Sequence, residues 1–257
     1  MTRASGRLAG KVALVTGGGT GIGRSIALAF ARAGAKIAIA GRRVEKLEET
    51  HGEIQALGGD GLVVPCDVAN AEDAERAVRE TVAAFGNLNV LVNSAGVLHV
   101  STIEAMSEEE WERLMAINLK GPFLMCRAAL GAFRRGGGGT IVNIGSVLGL
   151  IGMKDRAAYC ASKGGLTLLT KAIALDHAHE HVRANCICPS IVETELVAGL
   201  FAAEDGEALR KARIAGIPLG RLGQPRDVAD MAVFLASDES SWVTGAAIPL
   251  DGGLSAY

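Results

Sequence analysis

The chain has 257 residues, 49% of them apolar and 21% charged, which suits one large α/β domain with a sizeable buried core. A net charge of −2 supplies no basic field for nucleic acid or anionic lipid, and 4% aromatic residues leave little for base stacking. The opening MTRASGRLAG has no signal-peptide layout and no apolar run of membrane-spanning length occurs, so a cytoplasmic protein without a membrane span is expected.

KVALVT (11–16) predicts the first strand, and VTGGGTGIGRSIALAF (15–30) a glycine turn running into an apolar helix that reaches about Ala33. That turn has two readings. Gly17 and Gly19 begin the dinucleotide spelling G-x-G-x-x-G, but Ile22 stands where the third glycine belongs. Gly18 and Gly23 followed by Arg24-Ser25 approach the triphosphate loop G-x-x-x-x-G-K-[ST], with Arg24 in place of lysine. In either case Gly17, Gly21 and Gly23 permit a tight turn, and a helix starting near Gly21 aims free N–H groups at a phosphate.

AKIAIAG (35–41) is the second strand, followed by a charged helix through VEKLEETHGEIQAL; GLVVPCDV (61–68) is the third. AEDAERAVRETVAAFG is an amphipathic helix with acidic residues in its first turn, where the dipole favours them. LNVLVNSAG (88–96) is the fourth strand. Residues 107–133 carry one long helix or two, capped by Ser107 with Glu110 three residues on. RRGGGG (134–139) precedes the fifth strand, GTIVNIGS (139–146), and reads as a loop, since it cannot place a helix N-terminus on a ligand. A helix over 157–178, a sixth strand VRANCICP (182–189), a helical insertion over 191–216, a helix over 225–237 and a last strand in 246–253 complete the chain. Apolar strands alternating with helices predict right-handed crossovers, and so a single-domain, Rossmann-type, doubly wound parallel sheet covered on both faces.

Tyr159 and Lys163, in YCASK, are four apart on the predicted helix and share a face. A phenol is a poor base near neutrality, and a nearby cation favours its ionised form. The pair is a candidate acid/base for moving a hydroxyl proton. Ser146 lies at the carboxyl end of the fifth strand, where doubly wound sheets hold ligands, and could fix a substrate oxygen beside the tyrosine.

With these motifs the chain resembles the short-chain dehydrogenase/reductases from about Leu8 to its end. The family's T-G-x-x-x-G-x-G turn reads Thr16-Gly17-Gly18-Gly19-Thr20-Gly21-Ile22-Gly23, and its adenine-side Asp matches Asp67, followed by Val68. Its N-N-A-G segment reads Asn93-Ser94-Ala95-Gly96, with Ser94 a departure. Its P-G motif reads Pro189-Ser190, a second departure, followed by Val192 and Thr194. Its active-site Asn, Ser, Tyr and Lys match Asn118, Ser146, Tyr159 and Lys163.

The resemblance implies hydride transfer between a nicotinamide dinucleotide and a secondary alcohol or ketone. Tyr159 would exchange the proton, Ser146 orient the oxygen, Lys163 lower the tyrosine pKa and hold ribose hydroxyls, and Asn118 serve a proton relay. Gly17, Gly19, Thr20, Gly21, Ile22, Gly23, Asp67, Val68, Asn93, Ala95, Gly96, Pro189, Val192 and Thr194 would contact the cofactor. A homotetramer is also implied, with SSWVTGAAIPLDGGLSAY at a subunit contact.

Gly41 occupies the place where an acid at the end of the second strand selects NAD, and Arg42 beside it can fork onto a 2′-phosphate, which favours NADP(H). A non-catalytic dinucleotide sensor on the same fold is the alternative, against which the full Asn118, Ser146, Tyr159 and Lys163 set argues.

Cys66, Cys126, Cys160, Cys186 and Cys188 are scattered and odd in number, as reduced thiols are. Cys186 and Cys188 would face one side of a strand. His177, His179 and His181 fall at a helix end, where solvated side chains are expected rather than a metal site, and no metal is expected elsewhere. His99, in a loop near the crevice, is a candidate substrate contact. The 191–216 insertion reads as a lid whose Leu196, Leu200 and Phe201 could line an apolar pocket, with Glu193 and Glu195 solvated.

Overall fold

The alternating pattern folds, in a computed structural model describing residues 6–202 and 206–256, into seven parallel strands in the order β3-β2-β1-β4-β5-β6-β7. They are β1 Val12–Thr16, β2 Lys36–Gly41, β3 Gly61–Pro65, β4 Val90–Asn93, β5 Gly139–Ile144, β6 Val182–Pro189 and β7 Ala247–Leu250. The helices are α1 Gly21–Arg32, α2 Val44–Ala56, α3 Ala71–Phe85, α4 Glu108–Met115, α5 Gly121–Arg135, α6 Ala157–Asp176, α7 Glu195–Ala198, α8 Gly206–Ala215 and α9 Pro225–Ala236. The side chain of Leu200 lies outside the described residues.

Successive strand residues point to opposite faces. In β1, Ala13 and Val15 join a core with α1, α2 and α9, whereas Leu14 joins one with α3, α5 and α6. Both layers are apolar, and the inner strands β1, β4, β5 and β6 are buried on both sides, whereas the edge strands β3 and β7 are partly exposed. The chain winds from β1 outward to β3 and then returns to place β4 on β1's other edge. Winding therefore reverses between β1 and β4, and a crevice opens outside the carboxyl ends of those strands.

Three strands stop short of their expected ends because side chains take over the backbone hydrogen bonds. Ser94 and Ala95 donate their N–H groups to the Thr16 hydroxyl (3.1 and 3.3 Å), which ends β4 at Asn93. Asp67 accepts from Ala69 N–H at 3.0 Å, turning the chain beyond β3. The Asp251 carboxylate accepts from Gly253 and Ser255 N–H (3.0 and 2.9 Å), ending β7 at Leu250.

The 107–133 region is two helices, α4 capped by the Ser107 hydroxyl and α5, joined by a π turn over Ala116–Lys120. The glycine run 136–138 is the loop between α5 and β5.

Candidate active site

At the switch point two loops pass almost in contact. Gly17 has φ of 68°, and a Cβ there would lie 2.9 Å from the Ala95 backbone, so only glycine lets the loop after β1 approach the loop after β4. The Thr16 hydroxyl fastens the two loops, accepting from Ser94 and Ala95 and donating to Val92 C=O at 3.3 Å. Gly23 closes the turn from inside, since a Cβ there would meet Gly17 O at 2.2 Å. Helix α1 starts with no side-chain cap bond from Thr20 and no acidic residue in its first turn. Its leading N–H groups are therefore free for an anion.

A cleft of about 290 Å³ runs from this turn across the strand ends, with Gly17, Thr20, Gly21, Ile22 and Gly23 lining it. Gly41, Arg42, Asp67 and Val68 wall one end. Arg43 also lines that end and donates to the Thr20 hydroxyl at 3.0 Å, while Arg42 is exposed. Ala95, Gly96, Pro189, Val192 and Thr194 line the stretch toward Ser146, Tyr159 and Lys163. The two departures from the family spelling, Ser94 and Ser190, line it as well, and Ser190 donates to Asp251 C=O at 3.3 Å.

Ser146 caps the short 3-10 turn Val147–Gly149 and accepts from Leu148 N–H at 3.1 Å, which leaves its own hydrogen to donate. Tyr159 and Lys163 rise from the first turns of α6. Lys163 is 5% exposed and donates to Ile144 C=O at 2.9 Å, with its ammonium 5.8 Å from the Tyr159 ring centre. Burial pulls this ammonium down to about 8.

Burial works against the expected lowering of the phenol by Lys163. Burial pushes Tyr159 up to about 12, with the Ser146 hydroxyl acting in the opposite direction. The ammonium is held by a carbonyl and is itself short of solvation. Tyr159 is only half-buried, so water at the cleft offsets part of its rise.

A second cavity of about 190 Å³ opens on the other side of the tyrosine. It shares Ser146, Tyr159, Ser190, Leu196 and Val197 with the first, and the rest of its wall is mostly apolar. Leu196 lines both cavities, whereas Phe201 lines neither.

Three residues of the expected site point away from the cleft. Gly19 faces α2, where a Cβ would come within 3.0 Å of Lys46. Asn93 is buried, and its amide donates to the side chain of Asn143 at 2.8 Å and to Cys126 Sγ at 3.3 Å, so it braces β4 against β5. Asn118, fully buried in the π turn, trades two bonds of 2.9 Å with the Val97 backbone and gives a third to Ser162. Its carboxamide is a brace under Gly96 and Val97, with both amide hydrogens engaged.

Other candidates resolve locally. Arg24 forks onto Glu53 of α2 (2.6 and 3.0 Å), outside the cleft, so it does not act as a triphosphate-loop lysine. His99 lies 3.2 Å from Glu110 and lines neither cavity. His177 and His179 lie against Glu180, and no group of metal-binding side chains occurs among the described residues. Cys186 and Cys188 do share a side of β6, 3.8 Å apart, both buried and reduced. Thr16 and Arg156, absent from the expected site, both belong to the cavities or their fastening. The threonine could have been found from its place before the turn; the arginine carries no local signal.

Comparison with known proteins agrees with this geometry. A family model described as enoyl-(acyl carrier protein) reductase matches residues 17–255. An uncharacterized oxidoreductase of Thermotoga maritima is 42% identical over 96% of this chain and 98% of its own. The 2,5-dichloro-2,5-cyclohexadiene-1,4-diol dehydrogenase LinX of Sphingobium indicum is 39% identical over 97% of this chain and 98% of its own. A solved short-chain dehydrogenase/reductase structure from Burkholderia xenovorans superposes with a TM-score of 0.95 at 38% identity, covering 98% of this chain and 99% of that one.

Proposed function

The chain belongs to the short-chain dehydrogenase/reductase family of oxidoreductases, and we propose that it interconverts a secondary alcohol and its ketone with NADP(H), Tyr159 serving as general acid/base. One observation carries the reading: Ser146 and Tyr159 line both the cleft that starts at the glycine turn and the apolar pocket.

The cradle fits a dinucleotide. Gly17 and Gly23 have no room for a Cβ, and the α1 N-terminus is uncapped. The backbone from Thr20 to Gly23 would hold the pyrophosphate and Asp67 and Val68 the adenine. Pro189, Val192 and Thr194 would border the nicotinamide, and Lys163 the ribose hydroxyls beside it. When bound, the cofactor supplies or accepts a hydride at the carbinol carbon.

The protein's part is proton management. Ser146 donates to the substrate oxygen and fixes it beside the phenol. Tyr159 gives its proton to that oxygen in reduction and takes it back in oxidation, and its raised pKa keeps it protonated for the first of these. Lys163 approaches the phenol from the buried side. Asn118 acts through the backbone it braces.

Gly41 and Arg42 are the basis for NADP(H): no acid faces the adenosine ribose from the end of β2, and an exposed guanidinium lines the cleft there. Arg42→Ala should raise the KM for NADP about tenfold or more, on the scale of one charge-assisted hydrogen bond, and leave that for NAD unchanged. An unchanged NADP KM removes Arg42 from this role.

The reading extends to a homotetramer built on the exposed Leu168 and Leu175 of α6 and on Trp242, tested by light scattering. Four of the five unpaired cysteines are buried, as suits a reducing cytoplasm. A panel of secondary alcohols and ketones, followed by nicotinamide absorbance with both cofactors, tests the activity. Turnover of some member supports it, and failure of every member contradicts it.

A further inference from the structure

The pocket beyond Tyr159 is apolar on most of its wall, with Leu98, Val147, Met153, Ile191, Leu196 and Ile217 contributing. Its charged lining residues are two arginines, Arg156 and Arg213, and no acidic side chain lines it among the described residues. Arg156, the residue before α6, is 9% exposed. Among the described residues its guanidinium makes one hydrogen bond, to the neighbouring Asp155 carbonyl at 2.9 Å, although it has five N–H donors. Arg213 on α8 is half-buried, and its recorded contact is a weak one to Met153 sulfur at 4.0 Å.

Other arginines show what this fold does with a guanidinium that is merely structural. Arg183, also partly buried, gives four bonds to Val243, Thr140, Leu235 and Ser237. Arg210 pairs with Glu193 and Arg221 with Asp227. Among the described residues Arg156 and Arg213 have no ion-pair partner, and they repel each other. Burial first, and the Arg213 charge second, hold Arg156 below the usual guanidinium range, with Asp155 opposing. Two like charges sharing an apolar cavity without an acid repel each other, and an anion bound between them would offset that repulsion.

We propose that the substrate is an anionic alcohol or ketone, a hydroxy or oxo acid, whose oxyanion is held by Arg156 and Arg213 while its carbinol or carbonyl group meets Ser146 and Tyr159. The proposal deepens the dehydrogenase reading and rests on it for the role of Tyr159. The fork geometry of guanidinium suits a carboxylate or sulfonate, and a pocket of about 190 Å³ confines the substrate to a small one.

The test uses the cofactor-loaded protein and matched probes: 3-hydroxybutanoate, 4-hydroxypentanoate and 2-hydroxybutane-1-sulfonate, each beside its neutral amide or sulfonamide. Calorimetry measures binding, and nicotinamide absorbance measures turnover. At least one anion should bind about tenfold or more tightly than its neutral partner, on the scale of one charge-assisted bond. Arg213→Met, at a half-buried helical position, should erase that preference by weakening the anion far more than its neutral partner. Arg156→Lys should retain part of it.

Anions binding no better than their neutral partners overturn the proposal, as does an equal effect of Arg213→Met on both. Anion binding of the expected kind without hydride transfer upholds the anion site and contradicts the dehydrogenase reading. Turnover of neutral alcohols with no preference for charge upholds the dehydrogenase and overturns the anion site.

Discussion

At the glycine-turn end of the cleft close backbone contacts build the wall; in the pocket beyond Tyr159 side chains do. The first end is made by Gly17 pressed against Ala95, by the uncapped N-terminus of α1 and by the Thr16 hydroxyl binding both loops. The second is made by Leu196, Met153, Arg156 and Arg213, carried on short helices and on the turns before α6. A backbone wall suits what a family's ligands share, in the proposed reading a pyrophosphate. A side-chain wall can be rewritten one residue at a time without disturbing the sheet, which is how one fold serves many substrates.

The sharpest way to break this contrast is at Gly17. Gly17→Val places a side chain against the Ala95 backbone at positive φ and should weaken dinucleotide binding about 100-fold or more by fluorescence titration. Gly10→Ala, also at positive φ but with open space around it, separates strain from contact and should leave binding unchanged. Equal binding by the Gly17 variant would mean that the close approach is not what builds the cradle.

A second test concerns Lys163, where the two ends meet. Below pH 8 the folded and unfolded chains both carry its proton, and the folded chain bears the burial of that charge. Between about 8 and 10.5 the folded chain has released the proton and the unfolded chain has not, so stability rises with pH through that window. Relative to Lys163→Met, wild type should gain about 3 kcal/mol there, read by urea unfolding. A difference that stays flat with pH would contradict the buried ammonium.

The smallest effect is expected at Arg24. Its pair with Glu53 is half-exposed on both sides, so Arg24→Ala should change stability by about 1 kcal/mol or less and dinucleotide affinity not at all. Loss of affinity in that variant would return Arg24 to the phosphate site.

The same contrast explains what could be read from the sequence. The glycine turn and the Tyr159–Lys163 pair are local spacings, and alternation of apolar strands with helices fixes a parallel sheet, so these were legible. Asn93 was not, because its direction depends on the pleat: it stands opposite Asn143 in the β4–β5 register and turns into the α5 and α6 layer rather than the cleft. Asn118 escaped because a π turn, which has no spelling of its own, aims its amide at Val97. Arg156 looked like any charge before a helix, and only the tertiary packing of α8 and the turn before α6 puts it in a cavity with Arg213.

Tyr159→Phe tests the central claim most directly. The variant keeps the ring and its packing and removes only the hydroxyl of a residue that lines both cavities. Turnover should fall by about 100-fold or more, the scale of a lost general acid/base, while dinucleotide affinity stays within about twofold of wild type. Turnover near the wild-type rate would contradict the assignment of Tyr159 as the group that moves the proton.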